Sequence, residues 1–103
     1  MTEARFAVTP GSPHRPPAVV VSGDIDLANV EEFQAAMSQA SDDSPALTVD
    51  LTAVGYCDSA AVRALFTVAA TTELTMIVKP AGHISTLLAI SGLDRVATVV
   101  TKE

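Results

Sequence analysis

The sequence predicts one α/β domain over residues 1–103, in which a hairpin leads into a mixed β-sheet and helices pack on the sheet. A chain of 103 residues can bury a modest core but is too short for two domains. Apolar residues make up 49% of the chain and aromatic residues only 4%, so the core must be mainly aliphatic. The apolar patterns follow the order β-β-α-β-α-β-α-β, which requires right-handed crossovers between parallel strands.

The first two predicted strands form a hairpin. Residues 5–9 alternate weakly, and residues 10–17 contain four prolines, which predict a loop because proline cannot donate to a strand ladder. The strand restarts at residues 18–21, whose β-branched run is typical of a strand covered on both faces. We expect Gly23 to Asp26 to end this strand.

A helix is predicted from about Leu27 to Ala40, because apolar residues recur there at steps of three and four. Asp26 occupies the position of an N-cap, although a second role for it stays open. Glu31 and Glu32 place negative charge near the positive end of the helix dipole.

The second half of the chain alternates strands and helices. Residues 46–51 predict a strand with Asp50 on the face opposite Leu47, Val49 and Leu51, followed by a short crossing segment at 52–55. A helix from Ser59 to about Thr71, a strand at 74–78, a short helix around residues 84–88 and a last strand at 96–101 complete the order. Gly92 is predicted to end the third helix in a left-handed conformation, with Leu93 folding back on it.

Composition also bounds the function. A net charge of −6 argues against binding to nucleic acid or anionic membranes, and the apolar runs are too short for a transmembrane helix. A single cysteine cannot form an internal disulfide and no signal sequence is evident, so we predict a cytoplasmic protein. Cys57 is more typical of a small buried hydrophobe than of a redox sensor. His14 and His83, predicted to be solvated loop residues, lack a second ligand at metal spacing, so no metal or cofactor is expected.

Three stretches resemble the STAS domain of bacterial anti-sigma-factor antagonists. Residues 21–26 (VSGDID) are similar to the family's ending of the second strand, residues 49–59 (VDLTAVGYCDS) to its Asp-Ser signature, and residues 90–93 (ISGL) to its third motif. Together they cover the chain from about Ala18 to Val100. Each motif alone is weak, but three in order with the required elements between them are fairly specific.

The resemblance implies a regulatory protein rather than an enzyme. The unphosphorylated form of such an antagonist binds an anti-sigma factor that is also a serine kinase, which frees a sigma factor and so regulates transcription. Phosphorylation of the antagonist breaks the complex. The modified serine corresponds to Ser59 after Asp58, and the second acid of the site corresponds to Asp26.

Ser59 and Asp58 each have two possible roles. A serine at a helix start is commonly a plain N-cap, whereas the resemblance implies a phosphorylated or partner-contacting serine whose phosphate the first backbone N–H groups could hold. Asp58 either caps the helix or orients the serine. The family usually has a small or hydroxylated residue and then glycine after the serine, where this chain has Ala60 and Ala61, and we expect the Cβ of Ala61 to lie near the surface that a kinase approaches.

The predicted partner surface combines the exposed side of the Ser59 helix with the loop from Gly23 to Asn29. Its members are Asp24, Asp26, Asn29, Asp58, Ala60 and Arg63. The alternative function is that of a constitutive STAS subunit of another assembly, such as a lipid-transport ATPase or a stress-signalling complex. A small enzyme or a nucleotide-binding protein is a third possibility, but neither a serine-hydrolase motif nor a phosphate-binding glycine loop supports it. We expect a monomer or a weak dimer.

Overall fold

A computed structural model describes residues 4–102, and within them a five-stranded sheet carries three α-helices. The strands are β1 (Arg5–Thr9), β2 (Ala18–Ile25), β3 (Ala46–Cys57), β4 (Glu73–Val78) and β5 (Thr98–Thr101). The helices are α1 (Val30–Ser41), α2 (Ser59–Ala69) and α3 (His83–Ser91), followed by a 3₁₀ turn at Leu93–Arg95. The predicted element order and mixed sheet are confirmed.

The strands lie in the sheet in the order in which they occur along the chain. β1 pairs with β2 in antiparallel orientation, and β2 to β5 are parallel. Each right-handed crossover moves one strand further in the same direction, so all three helices lie on one face of the sheet. Because crossover helices run antiparallel to the strands, each begins near the C-terminal edge of the parallel strands.

The core fills the space between this face and the helices. Alternate residues of the central strands point into it, as the period of two requires, and meet the apolar stripes of the helices. Its largest fully buried side chains include Val19, Val21, Leu47, Val49, Leu51, Met76, Phe33, Met37, Leu65 and Leu88. The predicted inward face of β3 is thereby confirmed.

The opposite face of the sheet carries no helix from the described residues. Val20 is paired with Asp50 on this face and is 41% exposed. The prediction that β2 is covered on both faces is therefore wrong. The β-branched run reflects strand propensity, and the one-directional crossovers leave this side of β2 open.

Several element ends differ from the prediction. β3 continues past Leu51 to Cys57, because β2 remains available as a partner. β2 itself ends at Ile25, within the predicted stretch from Gly23 to Asp26, with Gly23 at a φ of 90° and the register shifting between Gly23 and Asp24. At the C-terminus β5 begins at Thr98 rather than Val96, after the 3₁₀ turn.

The end of α3 follows the predicted pattern. Gly92 has a φ of 83°, and its N–H donates to the carbonyls of Leu88 and Ala89. Leu93 is completely buried. The glycine therefore ends the helix and turns the chain so that Leu93 packs back into the core.

Candidate functional site

The predicted site residues lie where β2 and β3 end side by side. Ile25 pairs with Cys57, and the N–H of Asp58 donates to the carbonyl of Ile25 at 3.2 Å. Since neighbouring strands are about 4.8 Å apart, the loop after β2 lies beside the start of α2. The structure thus brings the acids of residues 24–26 to the edge of the sheet that also carries Ser59.

Asp58 is the N-cap of α2. Its Oδ1 accepts hydrogen bonds from the N–H groups of Ala60 at 2.9 Å and Ala61 at 3.4 Å. Of the two roles left open for Asp58, the structure shows capping. Ser59 is the first residue of the helix and is exposed, so its interpretation as the plain N-cap is wrong.

This cap also changes the expected surroundings of a phosphate. The N–H groups of Ala60 and Ala61, predicted to be free to hold it, are already occupied by Asp58. A phosphate on Ser59 would therefore lie beside a carboxylate rather than in an open ring of donors. The stabilisation expected from these N–H groups is lost.

Asp26 does not cap α1. The cap position belongs to Asn29, whose side chain makes no capping bond because it is used elsewhere. Its Oδ1 accepts from the N–H of Asp26 at 3.0 Å, and its Nδ2 donates to the carbonyl of Asp24 at 2.9 Å. The Oδ1 of Asp26 accepts from the N–H of Ala28 at 2.9 Å, so Asp26 and Asn29 fix a turn that delays the start of α1 to Val30.

Asp24 lies against the backbone of β3. It pairs with Tyr56 in the sheet, and its Oδ1 is 3.2 Å from the position that a Cβ on Gly55 would occupy. Gly55 thus lets this carboxylate approach the strand closely. Sequence reasoning missed this role of Gly55, which only the register of β2 on β3 reveals.

Two aromatic rings at the same edge form a contact that the sequence did not predict. The rings of Tyr56 and His83 stack with centroids 6.1 Å apart and an interplanar angle of 10°. His83 is the first residue of α3 and not a loop residue, so its predicted position is wrong. His14 is exposed in the turn between β1 and β2, as predicted.

The residues that follow Ser59 divide between core and surface. Ala61 is completely buried, Ala60 is half-buried and Arg63 is exposed. The expectation that the Cβ of Ala61 faces an approaching kinase is wrong, because this side of α2 packs into the core. An alanine in place of the family's glycine therefore leaves the surface at Ser59 unchanged.

Cys57 is buried immediately before the site, with 3% of its surface exposed. Loss of hydration raises the pKa of its thiol from 9.0 to about 11, and the negative charge of Asp58 adds to this shift. Its predicted character as a small buried hydrophobe is confirmed. A raised pKa keeps the thiol protonated and therefore unreactive near neutral pH.

The cavity at this edge is too small for a nucleotide. Its volume is about 100 Å³, and its lining includes Thr52, Lys79, Gly82 and His83. Ligand pockets commonly measure about 300–1,000 Å³. A larger cleft of about 720 Å³ lies between the proline-rich turn and the C-terminal end of α1, at the opposite edge of the sheet. Ser59 lines neither of these cavities and lies on the exposed surface.

The electrostatic character of this surface is acidic. Asp24, Asp26 and Asp58 share this edge of the sheet with Ser59, and Glu31 and Glu32 occupy the first turn of α1. Arg63 supplies a positive charge one turn into α2. In residues 4–102, no helix is long and apolar enough to cross a membrane.

The fold and site define a small α/β domain with a one-sided helical layer and an exposed serine at the edge of its sheet. The family model described as "Mlab, STAS domain" matches residues 8–101. The chain therefore belongs to the STAS domain family, as its motifs predicted. Comparison with curated proteins gives no match.

Solved structures of anti-sigma factor antagonists share the fold. One from Mycobacterium paratuberculosis has a TM-score of 0.80 and 22% identity, with 95% of this chain and 86% of that chain covered. SpoIIAA in its unphosphorylated form has a TM-score of 0.62 and 14% identity, with coverages of 96% and 88%. SpoIIAA of Bacillus in its phosphorylated form has a TM-score of 0.61 and 18% identity, with coverages of 95% and 93%.

Proposed function

We propose that this protein is an anti-sigma-factor antagonist controlled by phosphorylation of Ser59. In its unmodified form it binds an anti-sigma factor with serine-kinase activity and so releases a sigma factor. The observation that carries the proposal is the exposed hydroxyl of Ser59 on the first turn of α2, beside an Asp58 that is held as the cap. The fold shared with antagonists of known structure supports the same role.

The physical basis of the switch is electrostatic. A phosphoserine carries about −1.5 to −2 charges, and here it would join Asp58 and Asp26 at one edge of the sheet. The N–H groups of Ala60 and Ala61 are occupied by Asp58, and Arg63, four residues along α2, supplies a positive charge at this surface. A partner that packs against the hydroxyl would face an unpaired buried dianion, which costs several kcal/mol at a dry interface, on the order of a hundredfold or more in affinity.

The fold should tolerate the modification. Ser59 is exposed and makes no contribution to the apolar core, and Asp58 rather than Ser59 caps the helix. The phosphate therefore changes a surface without removing a structural contact. We propose that release of the partner needs no rearrangement of the sheet.

A phosphorylation assay tests this proposal. The protein is incubated with ATP and purified anti-sigma kinases of the same organism, and its intact mass is measured. We expect one added phosphate in the wild type and in Ser38→Ala, which removes an exposed serine of α1, but none in Ser59→Ala. Phosphate on Ser59→Ala would place the modification elsewhere and overturn the assignment.

Binding is measured in parallel with the same kinases. We expect Ser59→Ala to retain the complex and Ser59→Asp, which brings a negative charge, to weaken it. If the wild type binds its partner stably but no kinase modifies it, the second candidate function replaces the first. That candidate is a constitutive STAS subunit of another assembly, such as a lipid-transport ATPase or a stress-signalling complex.

A further inference from the structure

We infer that Leu27 is an apolar anchor, a side chain that inserts into a pocket of the anti-sigma kinase. This inference rests on the proposed function. Leu27 is 77% exposed, although a leucine gains about 1.5–3 kcal/mol when it is fully buried. Single exposed leucines are common on protein surfaces, so exposure alone carries no conclusion. Two further features distinguish Leu27. It lies at the edge of the sheet that carries Ser59, and the backbone of its turn is fixed by hydrogen bonds.

Leu27 lies at the same edge of the sheet as Ser59. Leu27 follows Ile25 by two residues and Ser59 follows Cys57 by two residues, and Ile25 and Cys57 are paired at the ends of β2 and β3. The hydrogen bond from Asp58 N–H to the carbonyl of Ile25 holds these two segments together. We therefore expect a partner that covers Ser59 to reach Leu27 as well.

The turn that carries Leu27 is fixed before any partner binds. The N–H of Asn29 donates to the carbonyl of Asp26 at 3.1 Å, which closes a turn with Leu27 and Ala28 at its centre. The side chains of Asp26 and Asn29 add the bonds described above, at 2.9 and 3.0 Å. A turn whose backbone is already fixed loses less conformational entropy on binding, and this favours its exposed leucine as an interface anchor.

The chemistry of Leu27 and its neighbours describes the partner. Leu27 requires an apolar pocket, and Asp26 beside it requires a cationic group on the rim of that pocket. These cationic groups of the partner neutralise the acidic side chains of the unmodified protein. A phosphate on Ser59 adds about two negative charges that these cations do not neutralise. On the same surface, Leu27 therefore stabilises the complex and the phosphate weakens it.

The test compares Leu27→Ala with Ile90→Ala. Ile90 is 79% exposed and is the penultimate residue of α3, which places it near the opposite edge of the sheet. Affinities for the purified anti-sigma kinases are measured by titration calorimetry. We expect Leu27→Ala to weaken the complex by about tenfold or more, as truncation of an interface hot spot does. Ile90→Ala should leave it unchanged, and Leu27→Met, which keeps an apolar side chain, should retain most of it.

The outcomes separate the anchor from the proposed function. If Ser59→Asp abolishes binding while Leu27→Ala does not weaken it, the proposed function stands and the anchor is overturned. Equal losses in Leu27→Ala and Ile90→Ala would also overturn the anchor, since they would indicate a general loss of apolar surface. Failure of the wild type to bind any of these kinases would overturn both.

Discussion

At the scale of single residues, the structural role and the proposed regulatory role fall on two neighbouring side chains. Asp58 caps α2 through the N–H groups of Ala60 and Ala61, whereas Ser59 faces solvent. We expect Asp58→Ala to lower the free energy of unfolding by about 0.5–2 kcal/mol, the usual loss for a helix cap, and Asp58→Asn to retain most of the stability. Urea denaturation monitored by circular dichroism measures both.

Ser59→Ala is the matched control for this cap. Because alanine is the better helix former, the free energy of unfolding of Ser59→Ala should stay within about 0.5 kcal/mol of the wild type. A loss in Ser59→Ala as large as that in Asp58→Ala would show that the serine hydroxyl also supports the helix start. The separation of the two roles would then fail.

Cys57 gives a second prediction at this scale. With a pKa of about 11 instead of 9.0, its thiolate fraction near pH 8 is lower by about a hundredfold, and burial adds a steric barrier. We expect slow reaction with a thiol reagent in the folded protein and fast reaction in urea. Fast reaction without denaturant would contradict the burial of this side chain.

The same shift fixes the direction of a pH effect. The pKa of Cys57 is higher in the folded protein than in the unfolded chain, so the stability from the protonated thiol is complete below pH 9. It is lost as the pH rises towards 11. Cys57→Ala should remove this pH dependence, which unfolding measured across the alkaline range would detect.

At the scale of elements, the turns before and after α3 each require a left-handed backbone conformation, and a different type of residue meets that requirement in each turn. Gly92 has a φ of 83°, while Ala81 adopts a φ of 54° in the turn before the helix. A residue with a Cβ loses about 1–2 kcal/mol in this region. We expect Gly92→Ala to destabilise the protein by about that amount and Ala81→Gly to be neutral or stabilising, as measured by thermal and urea unfolding.

Gly82→Ala serves as the control for these turns. Gly82 has a φ of −87°, and an added Cβ would come no closer than 3.5 Å to its neighbours. This substitution should therefore change the stability little. A loss equal to that of Gly92→Ala would indicate that any side chain in these turns disturbs α3, whatever its φ.

The elements themselves could be predicted from the sequence, but several of their ends could not. Periodicity places each helix and strand, because it reflects which side chains face the core. The continuation of β3 past Leu51 depends on its pairing with β2, and this pairing is not visible in either segment alone. The delayed start of α1 depends on side-chain bonds of Asp26 and Asn29, which compete with helix formation.

The location of the candidate site could also be predicted from the sequence, whereas its contacts could not. The motifs placed Asp24, Asp26, Asp58 and Ser59 at one edge of the sheet, because strand ends that follow parallel crossovers must meet there. The sequence did not predict which acid caps which helix or which way Ala61 faces, because both depend on how the folded elements pack. Leu27 was missed because an apolar residue at the predicted start of a helix gives no sign that it lies in a turn.

At the scale of the whole molecule, the direction of the crossovers determines what each surface offers. All three helices lie on one face, so Val20 on the other face stays 41% exposed. No local pattern in β2 carries this information. The same arrangement collects the helix N-termini, the acids and Ser59 at one edge of the sheet.

The acidic character of this edge predicts how a partner arrives. The chain has a net charge of −6, and acids at an interface rim steer a basic partner mainly by raising its association rate. We expect the association rate with an anti-sigma kinase to fall as salt rises from about 0.01 to 1 M, since the Debye length shrinks from about 30 to 3 Å. Stopped-flow mixing measures this rate.

Asp26→Asn and Glu73→Gln separate local steering from net charge. Each removes one negative charge, and an asparagine oxygen can still accept from the N–H of Ala28 and keep the turn. Asp26 lies beside Ser59, whereas Glu73 is exposed at the start of β4, at the opposite edge of the sheet. Asp26→Asn should slow association by about threefold at low salt and Glu73→Gln by much less. Equal effects would show that only net charge matters, and the partner surface would then lie away from this edge.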